Sequence, residues 1–403
     1  MASEVTQARP VAAERRPELD AIRAFVVVGL VFFHSALIFD AEDDYYVKNP
    51  ETTSAIMIAA GFAVVWAMPI LFLIAGLGSW HSMRKRGPRG FAVERLLRLG
   101  VPLVFATLTI IPIPQWLRLR AADPGYDESY PRFLLRFFDV HLDLGDFPFI
   151  LDGEHFETGH LWFIVLLLAF SLMLAAVARL LAGRAAQAGD RGAAAVTRHR
   201  GLVLLPAVPI AVICALLGLE EAFAGWSRWA YLLFFLFGFV LAADGRFRDA
   251  MRRDAVIAAV VGVAVFAAGM PLFLAVDEPF TEVTPLAMAA RALFGVAGWC
   301  WVTGILGLLD RRRRRPAPAC TGPARPPSRK ARAYAYLGTA VLPLYILHQP
   351  IVVAVAYHVV RWDASIPVKY LAIVAASLAL TVAAYDLLVR RTPVTRFLFG
   401  MRP

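Results

Sequence analysis

Long apolar runs, each about the length of a bilayer crossing, alternate along this chain with short segments rich in charged residues. A hydrocarbon core of about 30 Å takes about 20 helical residues to cross. On that measure the pattern predicts ten membrane-spanning helices, over about 22–40, 56–79, 99–113, 160–181, 202–219, 228–243, 255–275, 286–309, 335–357 and 366–389. The third is the least regular, because Pro102, Pro112 and Pro114 interrupt it. Bundled helices tolerate proline where neighbours satisfy the freed backbone groups. The expected fold is therefore all-α, a polytopic bundle forming one membrane domain over 1–403. Its main polar parts are a tail over 1–20, a long loop over 114–159 and a basic, Pro-rich linker over 310–334.

Composition supports a lipid solvent. The 403 residues are 59% hydrophobic and only 18% charged, against roughly 25% charged in soluble domains. Charge then orients the spans. With the N-terminus inside, 32 of the 41 Lys and Arg residues fall in the six segments that ten spans leave in the cytoplasm: 1–23, 81–100, 179–200, 244–254, 310–332 and 390–403. Most acidic residues lie elsewhere, among them Asp40, Glu42, Asp43, Asp44, Glu220, Glu221, Asp277, Glu278 and Glu282. Loops retained in the cytoplasm keep an excess of basic residues, so both termini are expected there. The net charge of +10 is accordingly read as topology, since it is spread over six loops and forms no single nucleic-acid-binding patch. The run Arg311 to Arg315, with the Pro-rich stretch up to Arg332, reads as a linker touching anionic lipid heads. Cys214, Cys300 and Cys320 show no metal-site or disulfide spacing. The first apolar run is too long for a removable signal and is expected to remain as the first span.

Candidate chemistry begins with ionisable residues inside spans, which are costly in hydrocarbon. Arg23 and His34 lie 11 residues apart, about 16 Å of helical rise and about 20° beyond three full turns. They share a face, with Arg23 near the inner surface and His34 at or beyond the midplane. Neutral histidine is the commonest general base near pH 7. The plainer alternative is a buried histidine bonded to a neighbouring helix. After the second span, Arg84, Arg86, Arg95 and Arg98 form a basic cluster suited to the phosphates of a nucleotide-like donor. The same residues also satisfy the cytoplasmic charge signal. In the long outer segment, His141, His155 and His160 lack the close pairing that metal sites favour, so no metal is expected. His160 and Trp162 open the fourth span as a candidate acceptor contact and an interface anchor. Tyr345 and His348 lie one turn apart in the ninth, just before Pro350.

In their order, these motifs resemble the acyltransferase-3 family of membrane acyltransferases. The matching residues are Leu19-Asp20-x-Ile22-Arg23-Ala24 with ten residues between Arg23 and His34, then Leu71-Phe72-Leu73-Ile74-Ala75-Gly76. Phe91-x3-Arg95-x2-Arg98-Leu99-x2-Pro102, His160-Leu161-Trp162-Phe163 and Tyr345-x2-Leu347-His348 complete the set. Trp80-His81-Ser82 and the Tyr345 to Gln349 segment look most like the branch that modifies periplasmic glucans. The resemblance implies a multi-pass protein of the bacterial inner membrane. It implies transfer of an acyl group, acetyl or succinyl, from cytoplasmic acyl-CoA to a hydroxyl of an extracytoplasmic carbohydrate. His34 is then the catalytic histidine and Arg23 its partner. The arginines at 84, 86, 95 and 98 bind the donor, and His160, Trp162, Tyr345 and His348 contact substrate. Two departures stand out: Glu94-Arg95 where relatives often carry paired arginines, and Ala75 where they carry serine. A carbohydrate or lipid-intermediate transporter is the runner-up, since it too needs buried polar residues. A scaffold whose histidines only pack is the third reading.

Overall fold

The computed structural model describes residues 17–53, 55–313 and 329–401. Residues 1–16 of the expected tail and much of the basic linker, including Cys320, lie outside the described residues, while 17–20 begin the first helix. Thirteen α-helices follow in order among the described residues: α1 Pro17–Leu37, α2 Ala55–Arg95, α3 Val101–Thr109, α4 Pro112–Ala122, α5 Tyr130–Phe137, α6 Trp162–Arg198 and α7 Ala207–Leu217. Then come α8 Arg228–Leu241, α9 Gly245–Leu274, α10 Pro285–Arg313, α11 Arg329–Val359, α12 Ile366–Ala384 and α13 Pro393–Leu398. A two-residue antiparallel pairing of His141–Leu142 with Leu151–Asp152 is the single ladder among the described residues.

Eight described stretches are long and apolar enough to cross a membrane, and the protein is a multi-pass membrane protein. One of them, Phe62–Ala122, is 61 residues long and contains the third expected span and most of the second. A further expected span is the shorter apolar stretch Leu202–Leu217. Prolines explain the irregular third span. Pro112 sits in the first turn of α4, where a missing N–H costs nothing, while Pro102 follows the five-residue π-helical turn Leu96–Gly100 that joins α2 to α3. The crossing is thereby split into two short helices. Upstream, α2 turns at Gly87, whose φ of 69° is a left-handed conformation open to glycine.

Packing builds the bundle around α2. Its Gly76 faces α8 so closely that a Cβ would sit 2.0 Å from the Phe235 carbonyl oxygen. Gly238 of α8 meets the Leu73 carbonyl in the same way. In membranes, where water does not drive helices together, such small-residue contacts are the main means of close association. α7 and α9 pack against α10, and α1 packs against α2, α11 and α12. Apolar side chains such as Val256, Val260, Val263, Val368 and Leu371 remain exposed on α9 and α12, as lipid-facing surfaces require. Arg291, buried on α10, ties the α9–α10 loop to α7 by donating to the carbonyls of Pro279, Glu282 and Ala215. Below, the end of the bundle where α1 starts and α2 finishes is called the basic end, and the end carrying 123–158 the far end.

Candidate functional site

At the basic end, α1, α2, α6, α9, α10, α11 and the C-terminal segment enclose a cavity of about 1070 Å³, at the upper limit of ordinary ligand pockets (~300–1,000 Å³). Its wall includes Arg23, Arg95, Arg98, Arg248 and Arg396, together with Asp20, Glu94, Asp244 and Asp310. Arg23 donates to Asp20 at 3.2 Å and lies 3.4 Å from the carbonyl of Ile74, joining α1 to α2. Arg95 donates to Ser79 at 3.2 Å and its guanidinium covers the Phe91 ring. Arg248 donates to Asp310. Ser82 donates to Glu94 at 2.5 Å.

Helix directions order this wall by depth. Val27 lies one turn beyond Arg23 on α1, whereas Leu71, Phe163 and Leu167 are the lining residues of α2 and α6 furthest from their basic ends, and Tyr345 is the furthest on α11. Charge therefore belongs to the mouth of the cavity, and its tip is apolar apart from the Tyr345 hydroxyl.

Immediately past that tip, three histidines from three elements converge. The His34 ring lies 5.2 Å from that of His348, and His160 lies 4.9 Å from His348. The sequence places them there because His34 is near the end of α1, His160 just precedes α6 and His348 follows Tyr345 by one turn. Tyr345 donates its hydroxyl to the His160 carbonyl, so it forms the partition between cavity and cluster. His348 Nδ1 is 2.6 Å from the Tyr345 carbonyl and His160 Nε2 is 3.1 Å from the Ile346 carbonyl. A carbonyl only accepts, so these nitrogens carry the protons. In the neutral rings the opposite nitrogens, His348 Nε2 and His160 Nδ1, are lone-pair acceptors. Both are buried without a hydrogen-bond partner, as is His34 Nδ1. Orphaned buried polar atoms of this kind call for an explanation.

Toward the far end the polar path continues. The Tyr45 ring stacks 6.0 Å from His34 and meets the Tyr46 ring edge-on at 5.2 Å. Tyr46 donates its hydroxyl to Glu157 at 2.5 Å. Gln349 accepts from the backbone N–H of His160 at 3.1 Å. Burial pushes the Glu157 carboxyl up to about 7, opposed by the Tyr46 hydrogen bond and by Arg118.

The expected site residues are thus divided. Arg23, Arg95 and Arg98 line the cavity, and His34, His160, Tyr345 and His348 gather at its tip. Arg84 instead covers the Trp80 ring, and Arg86 donates to Ser82 beside Glu94; neither lines the cavity. Trp162 points into an aromatic stack with Tyr231 and Phe223, while its neighbour Phe163 packs on Tyr345. His141 and His155 are apart from His160, the first exposed beside Asp152 and the second against Arg136 and Phe133. Arg248 and Arg396 also line the cavity, though the sequence marks them only as basic residues of 244–254 and 390–403 and does not single out Asp244 or Asp310. Tyr45, Tyr46 and Glu157 carried no sequence signal beyond their place in polar segments.

Comparison with known proteins places these features in context. The profile of the family described as "Acyltransferase domain" matches residues 16–386. Among curated proteins, "Glucans biosynthesis protein C" of Escherichia coli O6:K15:H31 is 27% identical over 164 residues, 41% of this chain and 39% of that protein. Its counterpart in Escherichia coli strain K12 is 26% identical over the same shares. The match thus spans about two-fifths of these relatives' length. No solved structure matches.

Proposed function

This chain belongs to the acyltransferase family, and from that premise we propose that it moves an acyl group from acyl-CoA to a hydroxyl of a carbohydrate on the other side of the bacterial inner membrane. The observation that carries the reading is the adjacency of an arginine-lined cavity and a three-histidine cluster, with Tyr345 lining the first and touching the second. In this reading both termini and the basic end face the cytoplasm, where loops rich in Lys and Arg are retained. Arg95 and Arg98 bind donor phosphates, and Arg23 holds the approach to α2. Guanidinium groups match phosphate oxygens bidentately.

The donor's thioester reaches the tip while the nucleotide stays at the mouth. The acceptor hydroxyl oxygen attacks the thioester carbonyl carbon, and His34 takes the hydroxyl proton. The C–S bond then breaks, and the same proton goes to the departing thiolate, giving an ester and coenzyme A. The fixed tautomers of His160 and His348 supply further lone pairs to hold the incoming hydroxyl. Of acetyl and succinyl, the tip favours acetyl, because the succinyl carboxylate would be buried among Val27, Leu71, Phe163 and Leu167. An unpaired charge in such surroundings is strongly penalised.

Proteoliposomes supplied with labelled acetyl-CoA on one side and a glucose oligosaccharide on the other test the reading. Label should appear on the oligosaccharide only when donor faces the basic end. Oligosaccharide crossing the bilayer unmodified and without donor would support a transporter instead.

A further inference from the structure

Resting on that reading, we propose that Glu157 and Tyr46, with Tyr45 and Gln349 behind them, form the acceptor-binding subsite, and that it takes an uncharged, hydroxyl-rich ligand of the sugar class. Glu157 and Tyr46 are half-buried where the long far-end segment meets the bundle, while Tyr45 and Gln349 are buried. The four therefore form a graded path from the far surface to His34. Every link in it is a contact already seen: Glu157 to Tyr46, Tyr46 to Tyr45, Tyr45 to His34, and Gln349 to His160.

The chemistry of the path is one-sided. Once ionised, above about pH 7, Glu157 offers carboxylate oxygens, and the histidines offer the lone pairs of His348 Nε2 and His160 Nδ1, both buried without a partner. Acceptors of this density need a ligand that brings donors. A sugar carries several hydroxyl donors on its rim and an apolar C–H face that suits the Tyr45 and Tyr46 rings. An anionic acceptor fits poorly, because the cations nearby are committed elsewhere. Arg118 is paired with Asp44, and Lys48 donates to the carbonyls of Leu37, Asp40 and Asp43.

Local backbone supports the same use. Gly159, between Glu157 and His160, has a φ of 48°, and a Cβ there would come within 3.4 Å of the Tyr46 hydroxyl and 3.7 Å of Gln349 Oε1. Glycine permits the turn that carries the chain from Glu157 to His160.

The test uses the purified full chain and measures binding of a neutral linear glucose oligosaccharide by saturation-transfer NMR, so that it does not depend on turnover. Glu157→Gln should weaken this binding roughly tenfold or more, as expected for losing a charged hydrogen-bond partner. Tyr46→Phe should weaken it less, and coenzyme A affinity at the basic end should stay at the wild-type value in both. An oligouronate should bind the wild type worse than the neutral oligomer. The proposal is overturned if the wild type does not bind the neutral oligomer, if Glu157→Gln binds it as tightly as wild type, or if the oligouronate binds better. A failure of acyl transfer with this binding pattern intact would count against the proposed reaction and leave the subsite standing.

Discussion

The rings of His34 and His348 stand 5.2 Å apart, brought together by the packing of α1 on α11. Each retains a buried ring nitrogen without a hydrogen-bond partner. In a purely structural core such atoms would be paired; in the proposed reaction their lone pairs receive the acceptor's hydroxyl proton.

Donor binding should depend on the cavity mouth. Arg95→Ala or Arg98→Ala is expected to weaken coenzyme A binding by roughly tenfold or more, the scale of losing a charge-assisted hydrogen bond. Calorimetry with coenzyme A and with phosphate-free pantetheine separates the causes. Pantetheine affinity should be the same in wild type and variants, and raising the salt should narrow the difference seen with coenzyme A.

Acyl choice follows from the apolar tip. Acetyl-CoA is expected to exceed succinyl-CoA in kcat/KM by about tenfold or more, since each 1.4 kcal/mol of unpaired-charge penalty is a factor of about ten. Initial rates with the two donors at equal acceptor concentration measure this directly. Equal rates would show that a cation reaches the tip during turnover.

Stability should be unusually sensitive where α2 meets α8. Gly76→Ala places a methyl group 2.0 Å from the Phe235 carbonyl oxygen and should cost about 1–3 kcal/mol or more through overpacking. Gly29→Ala is the matched control, for nothing lies within 4 Å of its Cβ. It should be neutral or stabilise by up to ~1 kcal/mol, because alanine restricts the unfolded chain more than glycine does. Detergent-solubilised melting curves of the two variants give the comparison.

Glu157 predicts a pH dependence with a definite sign. Its carboxyl titrates at about 7 in the folded protein against an ordinary 4.5, chiefly because it is buried. Between those values the folded state holds a proton that the unfolded chain has released, so stability falls as pH rises through that window. Thermal unfolding followed from pH 4.5 to 7 should show this decline in the wild type, and Glu157→Gln should flatten it.

Much of this architecture is legible in the sequence because bilayers impose one length and one charge rule on every crossing. The spans, Arg23, Arg95, Arg98 and the three histidines of the cluster all follow from apolar runs, cytoplasmic charge and polar residues placed inside helices. The break between α3 and α4 needed the local geometry of Pro112, which starts a helix as readily as it ends one. Trp162 and Phe163 are adjacent in sequence, and which of them faces Tyr345 was decided by the short turn at Gly159–Leu161. Arg84 and Arg86 fell outside the cavity because Trp80, Ser82 and Glu94 offered nearer partners. Glu157 could not be singled out at all, since its contact with Tyr46 joins residues 111 positions apart.

The central claim is tested most directly by mass spectrometry of envelope carbohydrates from cells carrying wild-type protein, His34→Ala or no protein, at matched membrane levels. The account predicts an added acyl mass with the wild type that His34→Ala reduces by about a hundredfold or more, the contribution of a general base. An added acyl mass that persists undiminished in His34→Ala would contradict it.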